Sequence, residues 1–174
     1  VDGGGTREWS EDNPDFRMIT WTQAFIGDKE NIAEVENCNI DFGTIYGQMG
    51  WVCSDLKKRK DDSLTWAGKI MGLCGYGNPR EEWIPAMVET YNTSTKISTS
   101  ESVEEWQQLL NLKTLNDVVR PNEKFDLDCL SGQDAWDLAA TSQVVFEKML
   151  FSWVYQMLTK YPDHDVVMTG GCAL

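Results

Sequence analysis

Residues 134–160 constrain the fold more than any other part of the chain. Trp136, Ala139, Ala140, Val144, Phe146, Met149, Leu150, Trp153, Val154 and Met157 fall at helical spacing but exceed a single apolar stripe. A helix apolar on most of its surface is expected between layers of structure, so the chain must supply packing on more than one side of it. Pro162 ends the helix. Asp165-Val166-Val167-Met168-Thr169 then reads as a short buried strand entering the pair Gly170-Gly171. Two adjacent glycines allow a sharp turn and let a ligand lie against the main chain; the same pair also serves a plain tight turn.

Upstream, residues 17–26 have strand composition, Gly27-Asp28-Lys29 supplies a turn, and residues 31–38 alternate Ile32, Ala33, Val35 and Cys38 with polar residues. That pattern is a β-hairpin. Asp41 is placed to cap a helix carrying Phe42, Ile45, Tyr46 and Met49. A second helix is expected over 64–73, closed by Gly75-Tyr76-Gly77-Asn78-Pro79. Residues 81–91 and 102–115 also look helical, with the polar tract 92–101 between them as a loop. Hairpin, helices, long buried helix and final strand together indicate an α/β lobe.

The chain has 174 residues, enough for one sizeable core. Fifteen basic against twenty-eight acidic residues give a net charge of −13, which argues against nucleic acid as the main partner. The basic run Lys57-Lys58-Arg59-Lys60 is followed at once by Asp61-Asp62 and is accounted for as a solvated helix end. Five cysteines, none in CxxC or CxxH spacing, indicate free thiols and a cytoplasmic setting. The longest apolar stretch, 144–158, is interrupted by Glu147, Lys148 and Gln156, so no membrane span is expected. His164, the sole histidine, reads as a surface-turn residue.

Three segments carry possible chemistry. Asp2-Gly3-Gly4-Gly5 places a carboxylate beside flexible backbone, suited to a metal or to approaching phosphates, although Asp-Gly is more often a simple turn. Residues 68–77 pack four glycines around Lys69 and Tyr76, which reads either as a site or as a tightly packed helix with its C-terminal cap. Gly170-Gly171 is the third. The abrupt sequence at both ends reads as the inner portion of a longer protein.

In this order, Asp2-Gly3-Gly4-Gly5, Asp41-Phe42-Gly43-Thr44-Ile45-Tyr46, residues 68–77 and Gly170-Gly171-Cys172-Ala173-Leu174 resemble the O-carbamoyltransferase family typified by nodulation protein U and tobramycin carbamoyltransferase. The resemblance runs from end to end and is loosest between Pro79 and Asp134. It departs from the family pattern where Thr6 and Arg7 precede Glu8, and where Gly75 stands in place of a common proline.

The resemblance implies a lobe of the actin, sugar-kinase and heat-shock-ATPase type. Residues 1–174 would form a single partial domain, the start and middle of the second lobe, with a helical section over about 79–133. It implies carbamoyl-adenylate formation from carbamoyl phosphate and ATP, followed by carbamoyl transfer to a hydroxyl of a small acceptor. By residue, it places Asp2 at a divalent metal (iron or magnesium-like) shared with histidines upstream of this chain. It places Gly3, Gly5, Lys69, Gly72, Gly170 and Gly171 around the nucleotide. Phosphate-rich substrates fit that set, because an acidic protein meets them through metal, lysine and backbone N–H groups. Within the same superfold the rivals are a tRNA threonylcarbamoyl-transfer protein, which the lack of a basic face disfavours, and a sugar kinase. A non-catalytic interaction module, homo-oligomeric through its apolar helix, is the rival from another class.

Overall fold

The computed structural model describes residues 5–9, 17–20, 22–38, 40, 42–56, 66–94 and 130–170. Residues 17–26, expected as one strand, are shared between two sheets. Strand β1 (Gly5–Trp9) pairs antiparallel with β2 (Arg17–Thr20), and β3 (Thr22–Gly27) pairs antiparallel with β4 (Ile32–Cys38). Strand composition marks a segment as able to pair without naming the partner, which is why the division is invisible locally. Gly5, expected in a loop, opens β1 opposite Thr20.

The expected turn between β3 and β4 is present. The Asp28 carboxylate accepts the backbone N–H groups of Glu30 and Asn31, each at 2.8 Å, and these bonds hold its carboxyl below the usual range. Thr22 lies opposite Cys38 and Gly27 opposite Ile32, with an irregularity between Ala24 and Phe25.

Helix α1 (Phe42–Gln48) tightens into a 3-10 turn, Met49–Val52; α2 spans Trp66–Cys74. A second 3-10 turn, Glu81–Trp83, leads into α3 (Ile84–Ser94), which runs three residues into the tract expected to be loop. The long helix α4 spans Gln133–Lys160. The expected cap at Asp41, the helix over 102–115 and the basic run at 57–60 lie outside the described residues. Helices and strands are thus mixed, and among the described residues the strands form two antiparallel pairs.

The core lies where α1, α2 and α3 meet the first half of α4. Phe42, Ile45 and Met49 from α1 and its extension, Ile70 from α2, Met87 and Tyr91 from α3, and Leu138, Val145 and Phe146 from α4 are all buried. Phe42 and Phe146 meet edge to face with centroids 6.2 Å apart, and Tyr46 packs on Phe146 at 5.2 Å.

Two expectations are corrected here. Helix α4 is buried only over its first half: Leu150 is the last buried residue, while Phe151, Tyr155 and Leu158 are exposed. Its 28 residues extend about 42 Å at 1.5 Å each, whereas the 11 residues of α3 reach about 16 Å, so the described short helices cannot cover the full length. The expected buried strand after it does not form. Residues 164–169 run without strand pairing, Val166 is half exposed and Val167 is 88% exposed. A β-branched run becomes a strand only with a neighbour to bond, and none of the described strands lies alongside. Gly170 does adopt a left-handed φ of 96°, the conformation for which glycine suits a turn.

The start of α4 is held by a clasp. Cys53 and Leu130 form a parallel bridge, in which Leu130 N–H donates to Val52 O and Ser54 N–H donates to Leu130 O, both at 2.8 Å. Gly132 N–H donates to the Asp55 carboxylate, also at 2.8 Å.

Candidate functional site at the glycine-rich turn

Three of the four glycines of residues 68–77 divide into two kinds. At Gly77 an added Cβ would sit 2.0 Å from the Trp136 carbonyl oxygen and 2.6 Å from the Asp137 nitrogen. The turn after α2 therefore touches the backbone of α4, and only glycine permits that approach. At Gly68 and Gly72 an added Cβ would meet nothing within 4 Å among the described residues. These two sit four apart, on one face of α2. Each costs a helix interior about 1 kcal/mol relative to alanine, and no described residue packs there to require it. The result is a bare backbone strip, flanked by half-buried Lys69 and by exposed Met71.

A polar clamp locks this turn onto α4. Asp137, 3% exposed, stands among apolar helix residues. Its Oδ1 accepts Asn78 N–H at 2.8 Å and Gln133 Nε2 at 2.7 Å; its Oδ2 accepts Arg80 Nε at 2.7 Å, with Arg80 Nη2 at 2.6 Å. Arg80 N–H donates to Thr141 Oγ1 at 2.9 Å, and that hydroxyl donates to the Asp137 carbonyl at 2.6 Å. The guanidinium also reaches Asp134 at 3.3 Å and lies 4.7 Å over the Trp83 ring. Burial by itself pushes the Asp137 carboxyl up. The bonds from Asn78, Gln133 and Arg80 outweigh it and hold the group below the usual carboxylate range.

Next to α2, the Tyr46 hydroxyl donates to Gln143 Oε1 at 2.6 Å, and Gln143 Nε2 donates to Glu147 at 2.7 Å. Burial, with Cys74 and Glu147 nearby, pushes the Tyr46 phenol far up, so it stays a neutral donor. Cys74 is half-buried and donates to Met71 O at 2.9 Å; burial and Glu147 raise its thiol too. Among the described residues, Cys38, Cys53 and Cys74 form no disulfide. His164 is exposed in its turn, with its ring edge-on to Tyr161 at 6.3 Å.

The sequence-predicted residues fall on separate elements. Gly5 begins β1, Lys69 and Gly72 lie on α2, and Gly170 follows α4; Asp2, Gly3 and Gly171 lie outside the described residues. Among the described residues no group of three or more His, Cys, Asp or Glu side chains is arranged to hold a metal, and no helix is long and apolar enough to cross a membrane. The bare strip and Lys69 fit the approach of a phosphate-bearing ligand. Sequence reasoning missed Asp137, Arg80 and Thr141. Asp134, Asp137 and Thr141 recur at i, i+3 and i+7, one polar line within an apolar helix, and that line was the available signal.

Comparisons with protein-family models, with curated proteins and with solved structures match nothing to this chain.

Proposed function

We propose that the chain carries part of the nucleotide-binding core of an O-carbamoyltransferase, in a lobe of the actin and sugar-kinase type. In this reading, ATP and carbamoyl phosphate form carbamoyl-adenylate, and the carbamoyl group passes to a hydroxyl of a small acceptor. The observation that carries it is the open face at Gly68 and Gly72 beside Lys69, within the most distinctive of the four ordered motifs. Two helical glycines that nothing among the described residues packs against fit a surface where a flat ligand rests against the backbone, and a lysine beside them fits its phosphates. Gly170, with its positive φ, supports a second glycine contact. Asp2 is assigned to a divalent metal together with histidines upstream of this chain. When bound, that ion would offset phosphate charge.

Gly72→Ala tests this in the intact parent protein. Alanine favours the helix, so thermal stability should hold or rise while carbamoyl-adenylate formation falls at least about tenfold, the scale of one blocked contact. Unchanged turnover in a stable Gly72→Ala protein would remove the strip from the site. Asp2→Asn should lose adenylate formation and partly regain it with excess metal, because the amide keeps the shape and one oxygen but loses the charge.

A second reading, an interaction module, is favoured by the exposed line Phe151, Tyr155 and Leu158 on α4. In sedimentation it requires a homo-oligomer that Tyr155→Glu dissociates. A monomer at all concentrations counts against it.

A further inference from the structure

Between β4 and the second half of α4 lies a cavity of about 360 Å3. Glu36 and Cys38 are two residues apart on β4 and so face it together. Met149, Trp153 and Met157 are four apart on α4 and line it over successive turns, and Ile40 completes the wall. Among the described residues, Glu36 is the one charged group in this lining, and its side chain is 33% exposed. Its counter-ion, Lys160, stands at the end of α4 with a side chain 54% exposed, and its Nζ is also 5.6 Å over the Tyr161 ring. The acid therefore belongs to the wall, while the base reaches in from water on a long flexible stem. Ion pairs of that kind are held weakly and exchange readily.

We propose that this cavity binds a small organic cation with an aromatic body. Its ammonium group replaces Lys160 on Glu36, and its ring lies against Trp153, Met149 and Met157. The volume falls at the lower end of the roughly 300–1,000 Å3 common for small-molecule sites. An indole face attracts a cation, and thioethers pack well against aromatic rings. A neutral ligand of the same shape gains only the apolar wall. An anion meets Glu36 and a chain of net charge −13.

Lys160 competes with the ligand, and this gives the proposal a distinctive consequence. Removing a positive charge from the rim strengthens binding of a positive ligand.

The experiment labels the methionine methyl groups of the full chain with carbon-13 and titrates benzylammonium, benzyl alcohol or benzoate at millimolar concentration. Seven methionines give a built-in control, with Met149 and Met157 assigned by Met→Leu variants. The Met149 and Met157 signals should shift most with benzylammonium, less with benzyl alcohol and not with benzoate. Glu36→Gln should reduce the benzylammonium response to that of the alcohol. Lys160→Ala should tighten benzylammonium binding about threefold, the scale of an exposed ion pair. Signals that stay still, or move equally with all three compounds, overturn the proposal. So does a folded Lys160→Ala protein that binds the cation more weakly.

Discussion

Asp137→Asn isolates the clamp between the glycine turn and α4. The amide oxygen can keep the bonds from Asn78 N–H and Gln133, both made to Oδ1. The new NH2 group must then stand where Oδ2 accepts Arg80, setting donor against donor. Bonds to charged partners contribute about 1.5–3 kcal/mol each. Arg80, 36% exposed along its side chain, recovers part of the loss by turning toward water. Relief from burying a charge returns a further part. A net destabilisation of about 2–3 kcal/mol follows from these terms.

Urea unfolding read by tryptophan fluorescence should show the loss as a lower midpoint at unchanged slope. Its pH dependence is the sharper check. A carboxyl held below its usual range contributes stability that is present above the unfolded value of about 3.9 and is lost as pH falls through the folded value. The gap between native protein and variant should therefore be full at neutral pH and shrink below about pH 4. A gap under about 0.5 kcal/mol, within the range of ordinary surface changes, would show that the clamp does not hold the turn. A gap constant down to pH 3 would refute the assignment of the depressed carboxyl to Asp137.

Gly77→Ala should cost more than about 3 kcal/mol or prevent folding, because its methyl meets backbone that cannot yield, whereas Gly68→Ala should raise stability by up to about 1 kcal/mol; paired melting curves compare them. Tyr46→Phe should lower stability by about 1 kcal/mol through loss of the bond to Gln143, measured by urea midpoint. Under native conditions at pH 8, alkylation followed by peptide mass mapping should modify half-buried Cys74 faster than buried Cys38 and Cys53, and equal rates would contradict the burial described here.

The elements that were legible in the sequence are those written in neighbouring residues. Asp28 announces its turn through bonds two and three residues ahead, and α2 ends at the Gly75–Asn78 signal because Tyr76 and Gly77 N–H groups close onto Leu73 and Cys74. The long helix is legible to within one residue. What failed depended on distant partners. The extent of its burial is set by how far the described short helices reach, and Val166 and Val167 stay exposed where none of the described strands pairs with them. The candidate site shows the same boundary. Four glycines in residues 68–77 mark a special segment, but only the position of Trp136, 59 positions beyond Gly77 in the sequence, separates the packing glycine from the open pair.

The placement of α4 also governs how the chain can fold as it is made. Phe42, Met87 and Tyr91 have their opposite wall in Leu138, Val145 and Phe146. Synthesis proceeds at about 5–20 residues per second, so the 55 positions separating Tyr91 from Phe146 leave that wall missing for about 3–11 s. During this interval α1, α2 and α3 can form helical turns but cannot bury their apolar faces against α4. Folding of this core on the ribosome is therefore held back until residues 133–160 emerge. Slowing translation between Tyr91 and Phe146 should lower the soluble yield more than the same delay placed before Phe42.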